Sequence, residues 1–279
     1  MDVVQDIATI RRLRWADPTL SWGLVPTMGY LHAGHLALVE QARAKNDRVA
    51  ATIFVNPTQF AANEDLSDYP RSLEQDLTLL EAAGTDLVFT PTDTIMYPPK
   101  FQTTVSLKTV TQPLEGASRP THFQGVATVV AKLFNIIQPT RAYFGQKDAQ
   151  QTVVIQQMVA DLNFNLDVII CPTVREADGL AMSSRNTYLT AEQRSAAPIL
   201  YQALSQAEMA FKQGERDATI LRQMMQNTLT KEPLANIDYL SVADPLTLVE
   251  LSTIEHGALL SVAVFFGHTR LIDNVLVGV

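Results

Sequence analysis

The sequence predicts an α/β fold, a doubly wound parallel sheet followed by a smaller α+β part. Up to about residue 171, apolar runs rich in β-branched residues alternate with segments of helical spacing. After about residue 190 the pattern changes to two helical segments followed by three strand-like runs. Alternation of the first kind is typical of right-handed parallel units with helices on both faces of the sheet.

The first part is predicted to contain five strands and five helices. The predicted strands are 22–25, 48–55, 86–89, 142–145 and 166–171. The predicted helices are 4–14, one beginning near Gly34, 71–83, 126–138 and 149–161. Gly84 is expected to end the third helix, because glycine readily adopts the left-handed conformation found there. Residues 91–122 are rich in proline and less regular, and 119–125 are predicted to be a loop.

The second part is predicted to hold helices from residue 190 to about 213 and over 216–230. Strand-like runs follow at 237–242, 258–266 and 271–277, and we expect them to form a small antiparallel sheet. We therefore expect one domain over residues 1–175 and a C-terminal lid domain over 176–279.

Composition excludes some classes of function. The net charge of −8 disfavours general attraction to nucleic acid or to an anionic membrane. Cys171 is the one cysteine, so no intrachain disulfide can form, and we expect it to be a buried apolar residue. Residues 1–6 lack the apolar core of a signal peptide, and no run of about 20 apolar residues exists to span a membrane. A cytoplasmic location is expected.

The polar stretch 25–35 lies between the first predicted strand of the sheet and its helix. Gly29 and Gly34 leave the backbone open to a ligand, and the N-terminus of the helix is expected to present free N–H groups to a phosphate. A phosphate loop would require Lys and then Ser or Thr where His35 and Leu36 stand, so that motif is rejected. A zinc site would need a third ligand near His32 and His35, and none has a recognisable spacing. An ordinary glycine-rich turn with two hydrogen-bonded histidines remains open.

The same stretch resembles the His-x-Gly-His signature of nucleotidyltransferases that attack the α-phosphate of ATP. Imidazoles can donate hydrogen bonds to phosphate oxygens whose negative charge grows in the transition state. On this interpretation His32 and His35 are catalytic.

Three further polar turns are expected at the carboxyl ends of strands, where parallel sheets bind ligands. They contain Asn56 with Gln59, the run Gln146-Lys147-Asp148, and the run Ser183-Ser184-Arg185. Each could instead be ordinary turn chemistry, a solvated ion pair or a helix cap. Together they are what a nucleotide site in this architecture needs.

As a set, these motifs resemble the pantothenate synthetase (pantoate–β-alanine ligase) family over nearly all of residues 22–190. The matching stretches are 25–29 with His32 and His35, 53–60, 69–71, 119–120 with 122–123, 143–148 with 150–151, 173–176 and 182–186. The run 269–274 in the C-terminal part is also similar. One departure is Phe60-Ala61-Ala62, where the family usually has Phe-Gly-Pro, a difference that bears on the shape and mobility of this loop and not on the chemistry.

The resemblance implies a Rossmann-like fold of nucleotidyltransferase type and an ATP-dependent ligase. Its reaction would condense (R)-pantoate with β-alanine to give pantothenate, AMP and diphosphate through a pantoyl adenylate. Mg²⁺ and a homodimer are also implied. No covalent enzyme intermediate is required, which agrees with the lack of a Gly-x-Ser-x-Gly elbow.

The resemblance also assigns roles to individual residues. His35 is the family's proton donor, His32 lies beside it, and Gln59 and Gln151, with Asn56, bind substrate. The implied catalytic set is His32, His35, Lys147, Ser183, Ser184 and Arg185. The implied ATP contacts are Met28, Gly29, Tyr30, Leu31, His32, Ala33, Gly34, His35, Gly145, Gln146, Lys147, Asp148, Val174, Met182, Ser183, Ser184 and Arg185. No protein-held metal site is expected.

The other histidines are less informative. His122 either orients a loop over the site or lies on the surface, and His256 and His268 are expected on the surface.

Three rival functions remain open on the sequence. Class I aminoacyl-tRNA synthetases share His-x-Gly-His but need a tRNA-binding surface, which this acidic chain does not suggest. A transferase acting on a phosphate substrate would need extra cations where Gln59 and Gln151 stand. A non-catalytic nucleotide-binding module would not need His32, His35, Lys147 and Arg185 together.

Overall fold

The computed structural model describes residues 1–61 and 66–278. The polar loop 63–65 and Ala62 of the expected family departure lie outside the described residues. The chain divides into two compact units. The N-terminal unit comprises Met1–Gly145 and Val154–Pro172, and the C-terminal unit comprises Gln146–Val153 and Thr173–Val279. The domain boundary expected after residue 175 and the lid role of the second part stay predictions.

The N-terminal unit contains a six-stranded, fully parallel sheet, which confirms the predicted fold class. Its strands are β1 (Asp2–Val4), β2 (Trp22–Thr27), β3 (Arg48–Ile53), β4 (Leu87–Phe89), β5 (Arg141–Gly145) and β6 (Asp167–Cys171). Their order is β1-β4-β3-β2-β5-β6. The chain therefore winds outward in one direction from β2 and in the other from β5.

This order places the topological switch point between β2 and β5. Gly23 of β2 pairs with Arg141 of β5, and on its other side β2 pairs with β3 from Trp22–Arg48 to Thr27–Ile53. In open parallel sheets, ligands bind outside the carboxyl ends of the strands at such a point. The residues that follow β2 and β5 are therefore the expected ligand-binding residues of this sheet.

Within the described ranges, seven helices cover this sheet or connect its strands. They are α1 (Ile7–Arg14), α2 (Ala33–Lys45), α3 (Leu73–Ala82), α4 (Asp93–Met96), α5 (Glu115–Ser118), α6 (His122–Ile137) and α7 (Ala149–Asp161). The core of the sheet is apolar on both faces, and Leu24, Val25 and Ala51 are fully buried. The end of α3 at Gly84, with φ of +80°, is as predicted.

Two predicted boundaries in this unit were wrong. Residues 4–6 are not helical: Asp2–Val4 is an edge strand on β4, and the Asp6 carboxylate caps α1 by accepting the N–H of Thr9 (2.8 Å). The predicted loop 119–125 is also shorter, because α6 begins at His122. Pairing with β4 decided the conformation of residues 2–4, which local periodicity left undefined, and helix ends are in general poorly defined by such patterns.

The C-terminal unit packs helices against an antiparallel sheet, as predicted. Its elements are α8 (Ala191–Ala196), α9 (Ile199–Lys212), α10 (Ala218–Leu229), β7 (Ala235–Ala243), β8 (Ala258–Phe266) and β9 (Thr269–Val277). The sheet order is β7-β8-β9. The single helix predicted over 190–213 was wrong, since Pro198 separates α8 from α9. A proline ring disfavours helical continuity because it removes a backbone donor and clashes with the preceding turn.

Among the described residues, no helix combines the length and apolar character required to cross a membrane.

Candidate active site

The loop after β2 turns sharply at Gly29 and Tyr30. Their φ angles are +84° and +51°, both in the left-handed region. The Thr27 hydroxyl accepts the N–H of Gly29 (3.1 Å) and donates to the carbonyl of Thr52 on β3 (2.7 Å). The turn is thereby fixed to the carboxyl ends of two neighbouring strands.

Asp76 of α3 holds the next two residues of this loop. Its carboxylate, in a residue only 2% exposed, accepts the N–H groups of Tyr30 (2.8 Å) and Leu31 (2.7 Å). A Cβ on Gly29 would lie 2.9 Å from the same carboxylate, so the close approach requires glycine. Sequence reasoning missed Asp76, whose position in the first turn of a helix is typical of ordinary dipole compensation.

Most of the N–H groups expected to be free in this loop are engaged. The amides of Gly29, Tyr30 and Leu31 donate to Thr27 and Asp76, the Gly34 amide donates to His32 Nδ1 (3.1 Å), and the His35 amide donates to the His32 carbonyl (2.9 Å). With these amides bonded within the chain, the imidazoles become the main donors that the loop can offer to an anion.

His32 and His35 form a reciprocal cap at the start of α2. His32 Nδ1 accepts the amide of Gly34, and His35 Nδ1 accepts the amide of His32 (3.3 Å). The ring centroids lie 4.1 Å apart. A neutral imidazole that accepts at Nδ1 carries its proton at Nε2. Each ring therefore has an Nε2–H donor set by its backbone contact.

The turn after β3 is built around the buried side chain of Asn56. Its amide donates to Gln59 Oε1 (3.1 Å) and to the carbonyl of Gly125 (3.2 Å), and its carbonyl oxygen accepts from the Tyr97 hydroxyl (2.7 Å). Gln59 Nε2 in turn lies 3.0 Å from Met28 Sδ. Gln59, one of the predicted substrate amides, is thus in contact with the histidine loop within the N-terminal unit, and Asn56 bonds Gln59.

His122 is not a plain surface residue. At the first position of α6, its Nδ1 lies 2.9 Å from the Gln59 carbonyl oxygen, and Arg119 donates to the same oxygen at 3.4 Å. His122 orients the Gln59 turn, one of the two roles the sequence left open. By contrast His256 and His268 are exposed.

In the C-terminal unit, residues 146–148 form a 3₁₀ turn. The Lys147 ammonium lies 3.5 Å from the Asp148 carboxylate, and its side chain is 21% exposed. Asn274 of β9 bonds the Gln146 side chain and the carbonyls of Gln146 and Lys147. The backbone of this cationic turn is therefore held by the last strand.

Val174 and Met182 lie opposite each other in a hairpin. The Met182 amide donates to the Val174 carbonyl (3.0 Å), so these two implied ATP contacts are neighbours. Ser183 follows immediately, and its hydroxyl accepts the amide of Arg185 (3.2 Å), capping a 3₁₀ helix over Ser184–Tyr188. The hairpin separates this run from β6, so it does not directly follow a strand of the parallel sheet as the sequence suggested.

Within the described ranges, no group of three or more His, Cys, Asp or Glu side chains is placed to hold a metal ion. Cys171 is buried, and burial raises the pKa of its thiol. Burial also raises the pKa of Asp273, against the opposing effect of the Arg175 and Lys147 charges.

Fold and site together define a class: a Rossmann-like α/β protein of nucleotidyltransferase type with a small α+β unit. A pantoate–β-alanine ligase family model matches residues 2–276. A pantothenate synthetase of Herpetosiphon aurantiacus is 59% identical over 279 residues, covering 99% of this chain and all of that one. That of Chloroflexus aurantiacus is 61% identical over 277 residues, covering 99% and 98%.

Solved structures give the same result. A crystal structure of pantothenate synthetase from Thermus thermophilus superposes with a TM-score of 0.94 at 49% identity, covering 99% of both chains. Pantoate–β-alanine ligase from Francisella tularensis, crystallised in complex with β-γ ATP and β-alanine, gives 0.82 at 34% identity, covering 99% and 97%. The chain belongs to the pantoate–β-alanine ligase family. It is a ligase of pantothenate biosynthesis, and its reaction joins pantoate to β-alanine.

Proposed function

We propose that the ligation proceeds in two steps through an adenylate. A carboxylate is a poor electrophile because its negative charge repels an amine. The pantoate carboxylate attacks the α-phosphorus of ATP, the bond to the β-phosphate oxygen breaks, and diphosphate leaves with the electron pair. The β-alanine amine then attacks the acyl carbon of pantoyl adenylate, AMP leaves, and the ammonium proton is released. The Francisella relative crystallised with a nucleotide and β-alanine supports this choice of substrates.

The observation that carries the adenylation step is the paired cap of His32 and His35. Because both Nδ1 atoms accept backbone N–H groups, both neutral rings keep a proton on Nε2. Donors fixed before reaction stabilise charge that develops on phosphate oxygens. We assign them to the α-phosphate, with His35 donating a hydrogen bond to the departing oxygen. The other role that the family resemblance implies, transfer of a proton, would first require His35 to be protonated.

The other charged contacts to the triphosphate are assigned to the C-terminal unit. Lys147 supplies a compact positive charge, and Arg185 offers a planar fork that matches two phosphate oxygens. Ser183 and Ser184 lie beside Arg185 as hydroxyl donors. The full proposed set of ATP contacts is the one implied by the family resemblance. The backbone amides of Tyr30 and Leu31 are not among the donors to ATP, because they already donate to Asp76.

Nucleoside contacts are assigned to two places. Gly145 and Asp148 contact the ribose, and a Cβ at Gly145 would meet no atom within 4 Å, so this end of β5 is sterically open. Val174 and Met182, paired in their hairpin, contact adenine through backbone groups.

Pantoate is assigned to the neutral amides of Gln59 and Gln151. Asn56, also named from the sequence, is buried and its amide bonds Gln59 and the Gly125 carbonyl, so it holds Gln59 and does not itself bind the substrate. An amide can bond both a hydroxyl and a carboxylate, and because it carries no charge it leaves the carboxylate nucleophilic. Asn56 and His122 already fix Gln59 at its side chain and at its backbone carbonyl.

Mg²⁺ is proposed to arrive with ATP, bridging its β- and γ-phosphates and otherwise bound to water. Magnesium retains water readily and is commonly held by substrate phosphates rather than by an all-protein cage. We also propose a cytoplasmic homodimer whose C-terminal domain, from about residue 176, acts as a lid that excludes water from the anhydride.

Exchange of labelled diphosphate into ATP tests the adenylation step. We expect exchange with pantoate, ATP and Mg²⁺ and without β-alanine, because the adenylate forms before the amine is needed. Exchange that requires β-alanine would contradict the proposed order. Exchange with a phosphate-bearing acceptor in place of pantoate would favour the transferase alternative.

A further inference from the structure

Asn274 is a buried side chain to which the proposed reaction gives no role. It lies on β9 and is 4% exposed. Its amide nitrogen donates to the carbonyls of Gln146 (3.0 Å) and Lys147 (2.8 Å), and its oxygen accepts from Gln146 Nε2 (3.0 Å). Both ends of one carboxamide are therefore engaged by the turn that carries Lys147.

This arrangement requires a carboxamide. A carboxylate at this position could accept from Gln146 but would face two carbonyl oxygens with no proton to donate. An apolar side chain would leave carbonyl groups without this partner in a buried setting, which is unfavourable. The donor and the acceptor of the Asn274 side chain thus match the carbonyls and the side-chain amide of residues 146–147.

A second layer of contacts braces Asn274 itself. Its backbone amide donates to Asp273 (2.8 Å), whose carboxylate is held by both terminal nitrogens of Arg175 at 2.6 and 2.9 Å. The Arg175 guanidinium lies 3.8 Å from the centre of the Tyr201 ring. A continuous network therefore runs from the hairpin with Val174 to the main chain of Lys147.

We infer that Asn274 is a positioning residue for Lys147, fixing the turn's backbone so that the ammonium is held for the triphosphate during adenylation. The inference rests on the proposed role of Lys147. Asn274 touches no reacting atom, so its effect must pass through residues 146–147, which it bonds, and the inference assigns that effect to Lys147, the cation of the turn. It should therefore act on adenylation and not on attack by β-alanine.

The test compares Asn274→Ala, Lys147→Ala and the double variant. We measure kcat/KM for ATP in diphosphate exchange, and separately the rate at which supplied pantoyl adenylate reacts with β-alanine. Misplacement of a catalytic group can lower rates by about 100-fold, so we expect a loss of about 10- to 100-fold in exchange for Asn274→Ala. The aminolysis rate should change less than about threefold. The double variant should be no slower than Lys147→Ala, because without the lysine there is nothing left to position.

Asn46→Ala is the matched control. Asn46 is also buried, at 8% exposure, and donates to the Ala42 carbonyl and the Tyr143 hydroxyl, both at 2.8 Å. Its removal tests the loss of a buried carboxamide away from the Lys147 turn. We expect lower stability with little change in the ratio of exchange to aminolysis.

Asn274→Asp provides a second variant of unchanged volume. At neutral pH its carboxylate repels the turn carbonyls, whereas the protonated form can donate to one of them. Exchange relative to the unaltered protein should therefore recover as pH falls, whereas a side chain that only fills space would give a constant ratio.

The outcomes separate the two claims. If Lys147→Ala exchanges normally, the proposed role of the lysine is wrong. Two outcomes would keep the role of Lys147 but overturn the positioning role of Asn274. In the first, Lys147→Ala exchanges slowly and Asn274→Ala exchanges normally. In the second, the losses of exchange in the two single variants multiply in the double variant. Equal losses in exchange and aminolysis would also overturn that positioning role.

Discussion

The Nδ1 atoms of His32 and His35 are acceptors, and this determines what the two rings can offer a ligand. Each accepts a backbone amide at the start of α2, so each neutral ring presents a proton at Nε2. Protonation of either ring would turn the Nδ1 acceptor into a donor facing an N–H group. The same contacts that cap the helix thus select the form of the imidazole suited to a phosphate oxygen.

Replacing His35 by Asn and by Gln should separate these two roles. An Asn oxygen can take the place of Nδ1, so His35→Asn should keep the cap and fold normally but lose turnover by about 100- to 1000-fold, the usual effect of removing one electrostatic donor. His35→Gln should also keep the cap, as Gln193 does at the equivalent position of α8, and because its amide nitrogen is a donor its turnover should exceed that of His35→Asn. Steady-state turnover and urea unfolding measure the two effects.

His256→Ala is the control, since that histidine is exposed. Normal turnover in His35→Asn would remove this residue from the mechanism.

Asp76 should matter as much as the residues it holds. In Asp76→Asn, the amide nitrogen would face the N–H of Tyr30 or Leu31, leaving a buried donor without its acceptor, at a cost of about 1–3 kcal/mol. We expect a lower free energy of unfolding and slower adenylation, because the histidine loop loses an anchor. Glu74→Gln, in the same helical turn but exposed, should change neither quantity. Unaltered adenylation in Asp76→Asn would show that the loop holds the histidines without it.

At the level of elements, α6 positions the substrate turn by close contact. Gly125 lies inside this helix where any Cβ would collide with the carbonyl of Thr58, while the Gly125 carbonyl accepts from Asn56. The first turn of α6 also brings His122 to the Gln59 carbonyl. One helix therefore holds both ends of the turn over residues 57–59.

Gly125→Ala should push this turn away from the helix. Overpacking of a close contact costs about 1–3 kcal/mol, and the displaced Gln59 should raise KM for pantoate more than KM for ATP. Val130→Ala, a cavity-forming change on the same helix, should lower stability without that selective rise. Equal changes in both KM values would contradict the positioning of Gln59 by α6.

At the level of the whole molecule, the question is whether the fold itself needs a metal ion. Among the described residues, no group of three or more His, Cys, Asp or Glu side chains is placed to hold one. The proposed Mg²⁺ travels with the nucleotide, so no part of the folded chain depends on it.

Chelation should therefore abolish turnover while leaving thermal unfolding of the ligand-free protein unchanged. Added Mg²⁺ should restore turnover in proportion to the Mg–ATP formed. A lower melting temperature after chelation would instead indicate a metal bound by the protein.

Strands β2 to β9 and the longer helices, in their order along the chain, followed from the sequence, because hydrophobic period and turn residues are local properties. The edge strand β1 and the short helices α4 and α5 did not. The predicted starts of α1 and α6 were wrong, because the local pattern at each start was weak. The break at Pro198 was missed, because the prediction continued one helix across it. The motif residues named for catalysis were equally local, and the family resemblance they carried is confirmed.

Only the tertiary structure decided what holds those residues in place. Asp76 lies 46 positions from Tyr30, and Asn274 lies 127 positions from Lys147. Contacts over such separations leave no periodic trace in a single sequence, because they depend on how strands pair and helices pack. The sequence determined which groups can do the chemistry. The packing determined which backbone amides and carbonyls bind within the chain, and with them which nitrogen of each imidazole carries the proton.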